Sequence, residues 1–103
     1  MQTVACFGDS LIYGFPFGPR TSWLAEAEKV TGDKFLNYGV CGDCTDDILF
    51  RLKTIPLPAH IKHILFLGGA NDIIQMRPQK FILEDLDKTL RYCQSKNLSL
   101  IHI

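Results

Sequence analysis

The sequence predicts an α/β domain built on a parallel β-sheet that helices cover on both faces. Short apolar runs at residues 3–7, 34–38 and 63–67 have the length and hydrophobicity of buried parallel strands. Stretches with apolar residues at helical spacing lie between and after these runs. Strands that alternate with helices through short connections form such sheets, with right-handed crossovers.

The first half of the chain supplies a strand, a helix and a second strand. Residues 3–7 lead into Gly-Asp-Ser, a turn signal that ends the first strand. Thr21 can cap a helix that runs to Val30 and is ended by the Thr-Gly-Asp that follows it. The expected inner face of this helix consists of Trp23, Leu24, Ala27 and Val30. The second strand then occupies residues 34–38.

The second half adds two helices on either side of the clearest buried strand. A helix containing Ile48, Leu49 and Leu52 follows the second strand and its loop, and two prolines then break the chain. Residues 63–67 form the third strand. An amphipathic helix is predicted over residues 78–95, with an inner face made of Phe81, Leu83, Leu86, Leu90 and Cys93.

Composition and charge narrow the class of protein. The 103 residues are 47% hydrophobic and carry 11 basic and 11 acidic side chains. This is typical of one soluble globular domain and argues against a nucleic-acid partner. No segment approaches the about 20 apolar residues of a membrane span, and the N-terminus lacks a secretion signal. We therefore expect a cytoplasmic protein whose cysteines are reduced, namely Cys6, Cys41, Cys44 and Cys93.

Each of the first three strands ends in a polar loop that carries a group of catalytic interest. Ser10 has a hydroxyl that a base could activate, although Ser is also a common helix cap. Gly42 has an N–H that a substrate oxygen can approach closely, or it serves only a turn. Asn71 offers a carboxamide to an oxyanion, or it forms an Asx-turn. Because ligands gather at the carboxyl ends of parallel strands, the loops are expected to converge on one site.

In order and spacing, these loops resemble the first three sequence blocks of the SGNH (GDSL) hydrolases. Gly-Asp-Ser-Leu stands at residues 8–11, Asn-x-Gly-x-x-Gly-x-x-Thr at 37–45, and Gly-x-Asn-Asp at 69–72. The resemblance implies a flavodoxin-like three-layer α/β/α sandwich. It also implies a serine esterase that acts on a small-molecule acyl ester or thioester. Neither a cofactor nor a metal is expected.

The resemblance also assigns roles to single residues. It makes Ser10 the nucleophile, and it places the backbone N–H groups of Ser10 and Gly42 and the side chain of Asn71 in an oxyanion hole. Asp9 and Asp72 match family positions that support the site, and we expect Asp9, Asp43 and Asp72 to order their loops.

Two phenylalanines follow the candidate nucleophile in a Gly- and Pro-rich loop. Phe15 and Phe17 are expected to line an acyl-binding pocket, or alternatively to pack in a surface turn.

The sequence contains no Asp-x-x-His block, which in the resembling family supplies the base and its orienting acid. His60 and His63 precede the third strand and therefore belong at the opposite edge of the sheet. His102 lies inside a fourth apolar segment, and none of the three histidines has an Asp three residues before it. We therefore expect residues 1–97 to be the N-terminal part of one SGNH hydrolase domain, truncated at its C-terminus and inactive as a fragment.

Residues 98–103 have two interpretations. They fit a fourth strand in length and hydrophobicity. They also match the in-frame translation of a transposon-derived adapter used in sequencing libraries. We favour the adapter, because an apolar hexamer can resemble a strand by accident.

Two other functions remain as alternatives. Cys41 and Cys44 lie between a strand and a helix, as the pair of a thiol-disulfide oxidoreductase would. A non-catalytic flavodoxin-like binding module is also compatible with the pattern, because a fold alone does not fix a function. His60 and His63 do not complete a zinc site. The redox alternative leaves the Ser10 and Asn71 loops unexplained.

Overall fold

A computed structural model describes residues 2–102, except for the side chain of His102. Within this part the chain forms one parallel sheet and five α-helices. The strands are β1 (Thr3–Gly8), β2 (Lys34–Gly39), β3 (His63–Leu67) and β4 (Ser99–His102). The helices are α1 (Ser10–Tyr13), α2 (Trp23–Thr31), α3 (Thr45–Thr54), α4 (Ala70–Ile74) and α5 (Gln79–Ser95), and a single 3₁₀ turn spans Pro19–Thr21.

The sheet is parallel throughout, with the strand order β2-β1-β3-β4. Gly8 at the end of β1 pairs with Gly39 at the end of β2 and with Leu67 at the end of β3. These three strands therefore end at the same level, and their loops leave one edge of the sheet side by side. The chain order reverses between β1 and β3, the place where α/β sheets of this kind open a crevice for a ligand.

Helices cover both faces of the sheet. On one face, Ala5, Phe7, Ile64 and Phe66 pack with buried side chains of α3 and α5. On the other face, Val4, Cys6 and Leu65 pack with Ile12 of α1 and Leu24 of α2. This arrangement confirms the predicted α/β/α sandwich, and the strand order is that of flavodoxin-like folds.

The start of α2 and its buried face differ from the prediction. Ser22, not Thr21, caps the helix, and its hydroxyl accepts the N–H of Leu24 at 3.2 Å. Thr21 is used in the preceding 3₁₀ turn, where its hydroxyl donates to the carbonyl of Gly18 at 2.9 Å. Trp23 is partly exposed and Val30 is 84% exposed. The short helix therefore buries little more than Leu24.

The buried face of α5 also differs from the prediction. Asp85, Thr89 and Cys93 are buried, whereas Phe81, Leu83 and Leu90 are exposed. The spacing of four residues places the buried three on one stripe of the helix. Along this stripe Cys93 packs in the core, and Asp85 binds Thr45 at the start of α3 and Arg77 before α5, as described below.

Residues 99–102 form β4, which pairs in parallel with β3 from Ser99 opposite His63 to His102 opposite Phe66. Either interpretation of residues 98–103 is compatible with this pairing, since a short apolar segment that follows α5 can extend the sheet whatever its origin. The origin of these residues thus remains a prediction. No helix within residues 2–102 is long and apolar enough to cross a bilayer.

Gly39 is the point at which α1 packs directly on the end of β2. A Cβ on Gly39 would lie 2.8 Å from the Cα of Tyr13 and 2.9 Å from the carbonyl oxygen of Asp9. These are backbone atoms, which cannot rotate out of the way. We expect Gly39→Ala to lower the free energy of unfolding by about 3 kcal/mol, as measured by urea denaturation.

Gly32→Ala is the matched control for this substitution. Gly32 has a φ of +75° and nothing within 4 Å of an added Cβ, so only its backbone conformation opposes the change. The expected loss is about 1 kcal/mol. Equal losses in the two variants would contradict the proposed close contact between α1 and β2.

Candidate active site

Ser10 is the first residue of α1, directly after the turn that ends β1. Asp9 is buried and caps this helix, since its Oδ1 accepts the N–H of Leu11 at 3.0 Å. Ser10 itself is half-buried, and its hydroxyl has no hydrogen-bond partner among the groups that the structure describes. The carboxylate of Asp9 thus caps the helix that begins with the candidate nucleophile.

Two side chains from other elements fix the four-residue helix α1 at its far end. The Asn37 carboxamide of β2 donates to the carbonyl of Ile12 at 2.8 Å, and its oxygen accepts the N–H of Gly39 at 2.9 Å. The Ser22 hydroxyl donates to the same Ile12 carbonyl at 2.8 Å. A helix this short has little stability of its own, so these contacts from β2 and α2 hold it in place.

Loop 2 (residues 40–44) joins β2 to α3 and presents Gly42. A turn is closed by the N–H of Asp43, which donates to the carbonyl of Val40 at 3.3 Å. Gly42 is the third residue of this turn, with a φ of +87°, the position at which type II turns favour glycine. Gly42 is exposed, with nothing within 4 Å of an added Cβ. A ligand atom could therefore approach its backbone closely.

Asn71 lies in α4, the short helix that follows β3, and its side chain reaches loop 2. The carboxamide nitrogen donates to the carbonyl of Asp43 at 3.0 Å. One of its two hydrogens is used in this bond, which leaves the other for a further acceptor. The structure therefore links the Asn71 side chain directly to the residue that follows Gly42.

Asp72 is completely buried and joins α4 to the start of α3. Its carboxylate accepts the backbone N–H of Thr45 at 2.9 Å and the Thr45 hydroxyl at 2.9 Å. This pairing fixes the beginning of α3 and therefore the C-terminal end of loop 2. Asp9 and Asp72 thus each accept a backbone N–H at the start of a helix, and their role in supporting the site remains a prediction.

Arg77 completes a buried ionic cluster with Asp72 and Asp85, which we call the Arg77 cluster. The Nη1 of Arg77 lies 2.9 Å from Asp72 Oδ2 and 2.5 Å from Asp85 Oδ2. The hydroxyl of Thr45 lies 3.0 Å from the Nη1 of Arg77 and 3.0 Å from Asp85 Oδ2. The hydrogen bond to Asp85 raises the pKa of Arg77 above its usual range. Sequence reasoning missed Arg77 and Asp85. The signal that could have indicated this cluster was Asp85, an acidic residue on the inner stripe of an amphipathic helix.

One group of potential metal ligands lies next to this cluster. The Sγ of Cys44 and carboxylate oxygens of Asp46 and Asp72 all lie within 4.8 Å of one another. The guanidinium of Arg77 is 2.9 Å from Asp72 and 3.9 Å from Asp46, so an arginine supplies the positive charge beside these carboxylates.

The two cysteines of loop 2 lie in different environments. Cys41 is exposed, whereas Cys44 is buried, and both are free thiols. Burial raises the pKa of the Cys44 thiol, and the neighbouring carboxylates of Asp72, Asp47 and Asp46 raise it further. A nucleophilic redox cysteine needs a lowered pKa. The environment of Cys44 therefore does not suit that nucleophilic role.

The histidines do not place an imidazole beside Ser10 in the described part of the chain. His63 opens β3 and pairs with Val4, near the amino end of the sheet. His60 is exposed and lines a surface depression at that same end, together with His63. The carboxyl edge that carries Ser10 is the opposite one. The side chain of His102 lies outside the described residues.

Exposed apolar side chains follow β1 and β3 at the edge that carries Ser10. Phe15 is 69% exposed and Phe17 is 82% exposed. Ile73 and Ile74, which follow Asn71, are also exposed. Phe15 and Phe17 are therefore not packed in the core, and their assignment to a substrate-binding wall remains a prediction.

Comparisons with known proteins place this geometry in context. A sequence profile of the GDSL-like lipase/acylhydrolase family matches residues 6–102 of the chain. A search of curated proteins finds no match.

Solved structures share the fold at low sequence identity. The chain superposes on a G-D-S-L family protein from Desulfitobacterium hafniense DCB-2 with a TM-score of 0.91 and 20% identity, covering 99% of this chain and 58% of that one. It superposes on AlinE4, an SGNH-hydrolase family esterase, with a TM-score of 0.88 and 24% identity, covering 98% and 57%. For the psychrotrophic esterase EstA from Pseudoalteromonas sp., the TM-score is 0.84 and the identity 20%, with coverage of 99% and 58%.

The chain thus spans less than two thirds of the length of these structures. The structural likeness concerns the fold, and the sequence profile identifies the family because it matches nearly the whole chain. The chain belongs to the GDSL-like lipase/acylhydrolase family.

Proposed function

We propose that this chain carries the nucleophile and the oxyanion-binding groups of a serine esterase, which cleaves carboxylic esters or thioesters through an acyl-Ser10 intermediate. The observation that carries the proposal is the common level of three strand ends. β1, β2 and β3 end in register, so that Ser10, Gly42 and Asn71 follow neighbouring strands at one edge of the sheet. The hydrogen bond from Asn71 to Asp43 then joins the second and third loops.

In the proposed reaction, the Ser10 oxygen forms a bond to the acyl carbon while its proton passes to a base. The electron pair of the carbonyl double bond moves onto the carbonyl oxygen, which becomes an oxyanion. The N–H groups of Ser10 and Gly42 and the free hydrogen of the Asn71 carboxamide are the donors for this charge. Collapse of the intermediate expels the alcohol or thiol, which takes the proton, and water then releases the acid from Ser10.

The base of this reaction is proposed to come from outside residues 1–103. His60 and His63 lie toward the amino end of the sheet, and no Asp-x-x-His segment occurs in the sequence. The related structures extend well beyond the portion that this chain covers. An Asp-x-x-His segment there would supply an imidazole to Ser10 and a carboxylate to orient that imidazole.

The acyl part of the substrate is proposed to contact the exposed apolar residues at this edge. Phe15 and Phe17 follow the helix that begins with Ser10, Ile73 and Ile74 follow Asn71 in α4, and all four side chains are exposed. Exposed apolar groups beside a polar centre suit an apolar acyl chain joined to a polar leaving group. Phe17→Ala would be the first substitution to examine for a preference in acyl chain length.

A phosphonate label tests the identity of the nucleophile. The experiment uses a longer product, meaning a chain that continues these residues through an Asp-x-x-His segment. It is treated with a fluorophosphonate, which phosphonylates only an activated serine. We expect the intact mass to increase by one phosphonyl group, with Ser10 as the labelled residue. Ser10→Ala is expected to abolish labelling, whereas Ser95→Ala, a change in the exposed last turn of α5, is expected to leave it intact. A label on another residue, or none, would contradict the proposal.

A further inference from the structure

Arg51 of α3 contacts three separate segments at the edge of the sheet that carries Ser10. Its Nε donates to Asp43 Oδ2 at 2.7 Å, its Nη1 to the carbonyl of Tyr38 at 2.7 Å, and its Nη2 to the carbonyl of Gly8 at 3.1 Å. These acceptors belong to loop 2, to the end of β2 and to the end of β1. One guanidinium therefore joins the strand that precedes Ser10 to the loop that carries Gly42.

The Arg51 side chain makes these contacts in a largely buried environment. The side chains of Arg51 and Asp43 are only 18% and 14% exposed, so water screens their ion pair weakly. The guanidinium also lies 5.9 Å from the centre of the Phe7 ring, which is stacked on Tyr38 at 4.7 Å between centroids. The planar guanidinium of Arg51 has several donors in fixed directions and can therefore bind three acceptors at once. The single ammonium group of a lysine is less suited to this arrangement.

Asp43 connects Arg51 to the residues of the candidate site. The Asp43 side chain binds Arg51, its carbonyl accepts from Asn71 at 3.0 Å, and its N–H closes the turn that contains Gly42. On the other side, the Gly8 carbonyl accepts from both Arg51 and the N–H of Val40, the latter at 3.0 Å. A displacement of Arg51 would therefore change the positions of Gly42 and Asn71 together.

We infer that Arg51 is a positioning residue, which sets the distance between Ser10 and the groups of Gly42 and Asn71 that are proposed to bind the oxyanion. This inference rests on the proposed esterase function. Arg51 has no place in the sequence blocks that indicated the site, and it contacts loop 2 and the ends of β1 and β2. Its effect is on kcat, because the oxyanion is absent from the bound ester and develops only as Ser10 attacks the acyl carbon.

The test is kinetic and uses the longer product with its Asp-x-x-His segment. In Arg51→Ala, kcat for an activated acetyl ester is expected to fall about 100-fold while KM changes less than about threefold, as when one oxyanion donor is lost. Arg51→Lys is expected to recover part of kcat, and the pH at which kcat is half-maximal should not move. Rates are normalised to the fraction of protein that binds the fluorophosphonate, which removes any effect of unfolded molecules.

Lys53→Ala is the matched control, because Lys53 is exposed on the same helix two residues further on. It is expected to keep the kcat and KM of the unsubstituted chain. Equal kinetics for Arg51→Ala and Lys53→Ala would overturn the inference, as would a fall in labelled fraction that accounts for the whole loss of rate.

A second readout separates this inference from the proposed function. If the unsubstituted longer product and its Ser10→Ala variant have the same rate, the proposed function fails. The inference is then judged by amide hydrogen exchange in residues 1–103. We expect Arg51→Ala to speed exchange at Val40, whose N–H shares the Gly8 carbonyl with Arg51, more than tenfold, while Ile64 in the core is unchanged. Unchanged exchange at Val40 would overturn the inference.

Discussion

Residues 1–103 are expected to hydrolyse an activated acetyl ester at least about 10⁴-fold more slowly than the same chain continued through an Asp-x-x-His segment. Attack on an acyl carbon needs a hydroxyl that loses its proton and a place for the oxyanion. The described residues offer groups for the second requirement, in Gly42 and Asn71. For the first, the Ser10 hydroxyl has no hydrogen-bond partner among the side chains and backbone groups that the structure describes. The measurement is the steady-state rate of release of nitrophenol.

Ser10→Ala in both lengths provides the control for this comparison. It is expected to reduce the longer chain to the rate of the shorter one and to change the shorter chain little, because residual rate comes from the oxyanion groups alone. A turnover of about 10 per second by the short chain, lost on Ser10→Ala, would contradict the prediction. A base would then have to lie among residues 1–103, and His102 would be the first to examine.

The strands could be predicted from the sequence because their signal is local. The central strands β1 and β3 are largely buried, so each appears as an almost continuous apolar run, whereas the edge strand β2 is only partly buried. The runs at 3–7, 34–38 and 63–67 agree with β1, β2 and β3 within one residue at each end. The position of the candidate site followed from the same signal, since loops after parallel strands share one edge.

The short helices and the buried charges could not be predicted in this way. α1 and α4 have four and five residues, too few for a helical period to show, and contacts from other elements hold them. The bond between Thr45 and Asp85 joins residues 40 positions apart. An Asp in a helix is normally assigned to the exposed face, and only the folded chain brings Arg77 beside it.

Arg77→Met is expected to lower the free energy of unfolding by about 3–5 kcal/mol, because it removes the cation from a buried cluster and leaves the carboxylates behind. The side chain of Asp72 is completely buried and that of Asp85 is 9% exposed, so water cannot take over the role of the guanidinium. Methionine keeps much of the length and apolar volume of arginine, which limits the effect to the lost charge and hydrogen bonds. The measurement is urea denaturation followed by circular dichroism.

Arg91→Met is the matched control, since Arg91 forms an ion pair with Asp87 on the outside of α5, where both side chains are mostly exposed. This substitution is expected to lower the free energy of unfolding by at most about 0.5 kcal/mol. The double variant Arg77→Met, Asp85→Leu removes one of the two carboxylates as well, and it is expected to recover at least half of the loss, because a buried charge without its partner is the main cost. The same loss in Arg77→Met and Arg91→Met would show that the Arg77 cluster contributes no more to stability than a surface pair.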